Sequence, residues 1–374
     1  MPAGLQDELQ EAFQARFGER PRIFRAPGRV NLIGEHTDYN EGFVMPAAIA
    51  FATWAAIANR EDRRLVVHSE NYAETVEFDL DDPSIRARGH WSDYVVGVAI
   101  TLERSGITLR GANLLIRGEV PIGAGLSSSA SLEVAVAMAL APELVDATKL
   151  AKLCRGAENE FVGVQCGIMD QFIACHALAG NALMLDCRSL EYHYAPLPAG
   201  VKMVIANSMI RHELAGGEYN RRRAECAEAA AYFGKSLRDV TEAEIARAKL
   251  PEGILRRARH VVTENARVAE ARAALERGDL LAFGTLMYES HRSLRDDYEV
   301  SCVELDVLVE IARGRAGVYG SRMTGGGFGG CTISLVADDR VDAFRAAIAA
   351  GYSRAEVYVS SATDAAGPVE IVNL

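Results

Sequence analysis

The sequence predicts an α+β protein of two domains, with mixed β-sheets layered by helices. Three observations point there. The chain has 374 residues, enough for two units at the usual domain size. Its first half mixes short β-rich runs, glycine turns and helical periods. Its second half opens on a strand, becomes strongly helical and closes on two strands around a glycine loop. The expected halves are 1–195 and 196–374.

Taken in order, residues 65–68 and 112–117 read as strands. Residues 94–103, 131–141 and 150–160 carry helical periodicity. A strand is expected over 181–186, and the turn-rich YHYAPLPAG that ends at Gly200 is the expected interdomain connection. A strand over 202–207 opens the second half. Helices over 218–232, 253–276, 280–293 and 303–313 follow. Strands over 317–323 and 331–336 flank the glycine loop, and a helix over 340–350 and a strand over 356–359 close the chain.

Composition narrows the function classes. At 49% hydrophobic and 24% charged, the chain reads as an ordinary globular protein. No apolar run approaches the ~18 to 20 residues of a membrane span. The opening MPAGLQDELQEAF carries acids and no basic region, so neither a signal nor a transit peptide is expected and the cytosol is the expected compartment. A net charge of −11 argues against a nucleic-acid partner. It is no bar to a nucleotide in a locally positive pocket. The seven cysteines contain no C-x-x-C pair and read as free thiols in a reducing compartment.

Three stretches carry chemistry. In EVPIGAGLSSSASLEVAVAMAL, Gly123, Ala124 and Gly125 form a loop, and Ser127, Ser128 and Ser129 lead into an expected amphipathic helix. Glycines let backbone N–H groups approach an anion, and a helix N-terminus adds partial positive charge. A capped helix alone needs one serine; two glycines and three serines point to phosphate binding. In GRVNLIGEHTDYNEG, Arg29, Glu35, His36, Asp38, Tyr39 and Asn40 crowd into twelve residues. Each alone reads as surface; together they suit a site that satisfies several hydroxyls. Asp170 sits in the apolar helical run GIMDQF, where an unpaired buried carboxylate is costly. Arg29 is its expected partner, placed to stabilise charge on a transferring phosphoryl group.

Other glycine motifs fail on context. MTGGGFGGC contains G-x-G-x-x-G, but the strand-like CTISLV follows where a dinucleotide fold needs a helix. The V-A-I-K, H-R-D and D-F-G runs of a protein kinase are absent. Phe233-Gly234-Lys235-Ser236 imitates the end of a Walker A loop, yet Ala229 stands where its first glycine would be, so it reads as a helix C-terminus. Five glycines in the six positions 325–330 suit a backbone packed closely on something else.

These runs, in this order, resemble the galactokinases, members of the superfamily that also holds homoserine, mevalonate and phosphomevalonate kinases. GEHTDYN is the galactokinase-specific part; the glycine loops are shared more widely. The resemblance implies two α+β domains of the GHMP-kinase type with the active site between them. It implies MgATP-dependent phosphorylation of the C1 hydroxyl of α-D-galactose, the first committed step of galactose catabolism. Carried over by position, Asp170 is the catalytic base and Arg29 its orienting partner. Glu35, His36, Thr37, Asp38, Gly167 and Tyr219 bind the sugar. Gly123, Ala124, Gly125, Leu126, Ser127, Ser128 and Ser129 cradle the phosphates, and Ser129 and Glu158 hold Mg²⁺. Ser69 and Trp91 flank the adenine. The implied partners are galactose and ATP, with no nucleic acid and no membrane, and the expected state is a monomer or weak dimer. Two rivals stand beside this reading: a kinase of the same superfamily for another sugar, such as N-acetylgalactosamine or arabinose, against which Thr37 and Asn40 side with galactose, and a non-catalytic galactose sensor, a type of regulator that lacks the Ser-Ala pair after the serine run, where Ala130 and Ser131 are present here.

Overall fold

The computed structural model describes residues 4–211 and 215–369. The first half is built from α1 (Leu5–Phe17), β1 (Arg22–Asn31), β2 (Phe43–Val44), β3 (Pro46–Asn59), β4 (Arg64–Ser69), β5 (Glu74–Asp79), α2 (Asp93–Arg104), β6 (Ala112–Gly118), α3 (Ser128–Leu140), α4 (Ala147–Gly156), a π turn at Ala157–Val162, α5 (Met169–His176), β7 (Asn181–Asp186) and β8 (Tyr192–Pro196). The second contains β9 (Val201–Arg211), α6 (Ala215–Phe233), α7 (Glu242–Arg247), α8 (Glu252–Glu276), α9 (Leu280–Asp296), α10 (Val303–Ala312), β10 (Val318–Thr324), β11 (Gly329–Ala337), α11 (Val341–Gly351), β12 (Glu356–Ser360) and β13 (Gly367–Pro368).

The strands form three sheets, ordered β13-β1-β3-β6-β4-β5, β10-β11-β9-β12 and β2-β7-β8. Pairing is antiparallel except between β4 and β6. Helices α2 to α5 cover one face of the first sheet and share its main core. On the other face α1 buries Leu9 and Phe13 against Trp54 and Leu115. A further core joins Val30, Ile33 and Met45 of the first half to Ile205, Ile333 and Phe283 of the second. The site residues on β1 and on the β10–β11 hairpin are thus anchored to one apolar body.

Several expectations change. Most of YHYAPLPAG is strand β8, paired with β7; only 197–200 is left as connecting turn. The helix after the serine run is not amphipathic. Ala130, Ser131, Glu133, Val134, Ala135, Val136, Ala137 and Ala139 are all buried, so α3 is a central helix packed on nearly every side. The expected helix over 150–160 is α4 followed by the π turn that carries Glu158. Strands β1 and β3 were not legible. β3 reads PAAIAFATWAAIAN, too rich in alanine for a strand pattern, and burial on both faces removes the alternation. β1 contains Pro27 and Gly28, and its pairing with β3 shifts register between Pro27 and Arg29. Such a bulge redirects the side chain that follows it, which here is Arg29.

Candidate active site

The phosphate-type loop is made of backbone. Gly123 and Gly125 have φ of +71 and +76, values that favour glycine. Ser127 precedes α3 with φ 61 and makes no side-chain cap. The first N–H groups of α3 therefore have no capping side chain, the condition under which a helix N-terminus takes an anion. Ser128 and Ser129 line the adjoining cavity of about 390 Å³. Ala124 and Leu126 turn their side chains into the core and contribute backbone only. The carbonyl of Leu126 accepts the Arg29 N–H at 3.1 Å.

The expected pair of Arg29 and Asp170 is present at the floor of this cavity. Arg29 Nε donates to Asp170 Oδ1 at 2.8 Å and Nη2 to Oδ2 at 2.7 Å, a two-pronged fork. Nη1 donates to the Gly125 carbonyl at 2.6 Å, which ties the fork to the glycine loop. Burial disfavours the Arg29 charge, but the Asp170 and Glu35 carboxylates outweigh it and hold its pKa above the ordinary value. One assignment shifts: the Ser127 hydroxyl donates to Asp170 Oδ2 instead of reaching toward a phosphate, because its left-handed backbone turns it to the first turn of α5.

The sugar-type segment surrounds the opposite wall. Glu35 is buried; its Oε1 accepts the Gly325 N–H at 2.6 Å and its Oε2 accepts Asn31 Nδ2 at 3.0 Å. His36 has φ 62. Its Nε2 faces the Gly326 carbonyl at 3.2 Å and its Nδ1 faces the Tyr39 hydroxyl at 2.8 Å. A carbonyl can only accept, so Nε2 carries the hydrogen and the Tyr39 hydroxyl donates to Nδ1. Burial keeps this ring neutral by lowering its pKa to about 3. Both ring nitrogens are therefore engaged by protein, and His36 lines the cavity as a wall. Thr37 does not line it. Its hydroxyl faces the Gly34 and Phe43 carbonyls at 2.8 and 2.7 Å and closes the turn, so its expected sugar contact is corrected to a structural role.

Asp38 lines the same cavity. Its carboxyl faces Gly167, where an added Cβ would stand 1.9 Å from Oδ2, so any other residue there would push the carboxyl aside. Burial, with help from the nearby Asp170 and Glu35, raises Asp38 to about 7. Tyr219 and Asn220 of α6 complete this wall, and the Tyr219 ring lies 5.6 Å from that of His36.

Glu158 lines the cavity beside Ser129 and belongs to an acid pair that the sequence did not reveal. Gln171 Nε2 donates to Glu133 Oε2 at 2.9 Å and to Glu158 Oε2 at 2.7 Å. Glu133 Oε1 is buried without a partner among the described residues. Burial pushes both carboxyls above the ordinary range, a position that a bound cation would reverse. The described residues contain no cluster of three His, Cys, Asp or Glu able to hold a metal by themselves. One hydroxyl and one carboxylate do suit Mg²⁺, which takes few protein ligands and completes its shell with phosphate oxygens and water.

A second cavity of about 810 Å³ shares Gly123, Ser128 and Ser129 with the first. Ser69 and Trp91 line it, with Tyr72, Tyr94 and Leu132. The Trp91 and Tyr72 rings stack at 5.4 Å and 7°, and Trp91 Nε1 donates to Glu74 at 2.7 Å. The sequence signal for Tyr72 was its place in HSENY, beside Ser69.

Three family descriptions match the chain: the galactokinase galactose-binding signature over residues 11–59, the GHMP kinase N-terminal domain over 93–177 and the GHMP kinase C-terminal domain over 271–354. A galactokinase of Chloroflexus aggregans is 51% identical over 359 residues, 92% of each chain. This chain belongs to the galactokinase family. A second member, from a Roseiflexus species, is 49% identical over 97% of both chains. The crystal structure of Lactococcus lactis galactokinase complexed with galactose superposes with a TM-score of 0.94 at 39% identity, covering 98% of this chain and all of that one. A mevalonate kinase from Methanococcus jannaschii, 18% identical with a TM-score of 0.69, shares the fold. The family fold is therefore the two-domain GHMP type, and the chain is an ATP-dependent sugar kinase. No helix among the described residues is long and apolar enough to cross a membrane.

Proposed function

We propose that this chain transfers the γ-phosphoryl group of MgATP to the C1 hydroxyl of α-D-galactose, giving galactose 1-phosphate and ADP. The observation that carries the reading is the Arg29–Asp170 fork, placed where the wall of Glu35, His36 and Asp38 meets the uncapped start of α3.

Asp38, with its carboxyl partly open to the cavity, accepts from sugar hydroxyls, and Gly167 leaves it room. Glu35 accepts from a further hydroxyl, and the ring faces of His36 and Tyr219 close the pocket around the sugar. Asp170 takes the C1 hydroxyl proton as the oxygen attacks the γ-phosphorus; the proton then resides on its carboxyl. Two Arg29 N–H groups and the Ser127 hydroxyl hold that carboxyl in register. The backbone N–H groups at the start of α3 hold the phosphates, and Arg29 lends positive charge to the transferring group. Ser129 and Glu158 would hold Mg²⁺, which supplies charge neutralisation to the phosphates when bound. The second cavity would take the adenine between Ser69 and Trp91. A cytosolic monomer or weak dimer completes the reading.

The test is a coupled ADP-release assay over a panel of hexoses and pentoses, with the phosphorylated position read by NMR. Galactose should give the highest kcat/KM, with phosphate on C1. No galactose-dependent ADP release, or a phosphate elsewhere on the ring, would overturn the assignment.

A further inference from the structure

Arg322 is among the largest fully buried side chains of the protein, with no exposed surface, and neither the phosphoryl chemistry nor the sugar wall uses it directly. A guanidinium in a dry interior requires a counter-charge. Two carboxylates are near. Glu264 is already committed: its Oε1 accepts the Gly34 N–H at 2.9 Å and the Ser290 hydroxyl at 2.5 Å, and its Oε2 accepts Arg267 Nε at 2.7 Å. The other is Glu35, whose Oε1 lies 3.6 Å from Arg322 Nη1. The remaining cation beside Glu35 is Arg29, and its fork is taken by Asp170.

The same strand end grips the segment around Glu35 at several points. Arg322 Nη1 donates to the Asn31 carbonyl at 2.9 Å. The Thr324 hydroxyl oxygen accepts the Asn31 N–H at 2.9 Å. The Gly325 N–H donates to Glu35 Oε1 at 2.6 Å. Asn31 in turn donates its side-chain N–H to Glu35 Oε2. Arg322 Nε and Nη2 have no partner among the described residues, so this guanidinium is not arranged to maximise its own hydrogen bonding. Among the described residues Glu35 is the one carboxylate within ion-pair distance of it.

We propose that Arg322 is a positioning residue for galactose recognition: from the second half of the chain it holds the orientation of Glu35, the acid that the sugar meets. The proposal rests on the reading of Glu35 as a galactose contact. It explains why a buried cation stands two residues before the end of β10: closure of the sugar wall depends on the two halves being docked.

The test is a double-mutant cycle with Arg322→Met, Glu35→Gln and the pair, reading the KM values for galactose and ATP and the melting temperature of each. A merely structural defect lowers the folded fraction, hence the apparent kcat, and leaves the galactose KM of the folded molecules unchanged. R322M is expected to raise the galactose KM at least ~10-fold with the ATP KM within about twofold, and the pair is expected to be no worse than E35Q alone. An unchanged galactose KM in R322M, or losses that multiply in the pair, overturns the role. If R322M does not fold, Arg322→Gln removes the charge while keeping a side-chain N–H donor, and the same KM outcomes decide. Should E35Q itself leave the galactose KM unchanged, the sugar reading of Glu35 fails with the proposal. Should E35Q raise it while the Arg322 variants do not, only the role of Arg322 falls.

Discussion

On the side of the cavity proposed for phosphate the polar groups include the backbone N–H groups at the start of α3, left without a side-chain cap. On the sugar side they are side chains that the protein already engages: Glu35 by Gly325 and Asn31, His36 by Gly326 and Tyr39. The first wall is local and comes from one stretch of sequence. The second is assembled from β1, the following turn, α6 and the β10–β11 hairpin. A local backbone cradle suits phosphate, an anion common to the whole superfamily. A wall of oriented side chains suits one sugar, because a buried polar group left unpaired rejects the wrong ligand.

Asp170 stands where the two walls meet, so its loss should exceed that of either wall alone. Asp170→Asn keeps the size of the side chain but removes the proton acceptor. It is expected to lower kcat by roughly 10²- to 10⁴-fold while isothermal titration still detects galactose binding. A kcat within about threefold of the parent would remove Asp170 from the proton transfer.

Asp38→Asn probes the sugar wall and should be the next largest. Loss of a charge-assisted acceptor is expected to raise the galactose KM by about 10- to 100-fold, with the ATP KM nearly unchanged. Its pH behaviour has a defined sign. The folded pKa of Asp38 is raised to about 7 by burial, so the stability associated with its neutral form is full in acid and is lost as pH rises through about 7. The Asn variant should therefore melt higher than the parent at alkaline pH, with the gain vanishing in acid. The parent's galactose affinity should weaken as Asp38 protonates below pH of about 7. An equal rise in both KM values, or a melting difference independent of pH, would detach Asp38 from the sugar wall.

Gly125→Ala probes the backbone cradle and should be the mildest of the three. The residue has φ +76, and an added Cβ would stand 3.2 Å from the Thr324 carbonyl. Left-handed strain of about 1–3 kcal/mol should displace the loop, raising the ATP KM by up to about 10-fold and leaving the galactose KM within about twofold. A galactose effect as large as the ATP effect would mean that the two walls are not separable.

The glycine hairpin shows the contrast at one contact. Gly325 and Gly330 pack on the backbone of Gly125 and Ala124, where an added Cβ would come within 2.6 and 2.9 Å. The run of glycines in MTGGGFGGC announced a close backbone approach, but nothing in it named the phosphate loop as the partner.

The sequence alone determined the α+β class and the family, the latter through short runs whose residue types carry their own chemistry: the glycine–serine loop before α3, the acid of α5 and the segment specific to galactokinases. It also paired Arg29 with Asp170, since a buried carboxylate needs a cation. The strands β1 and β3 were hidden by alanine, proline and burial on both faces. Tertiary structure alone decided that Ser127 serves Asp170, that Thr37 closes a turn, that Glu133 and Gln171 stand behind Glu158, and that Arg322 faces Glu35 from the far half of the chain. Each of these depends on which distant backbone a side chain meets. Local spacing does not encode that meeting; packing of the shared core does.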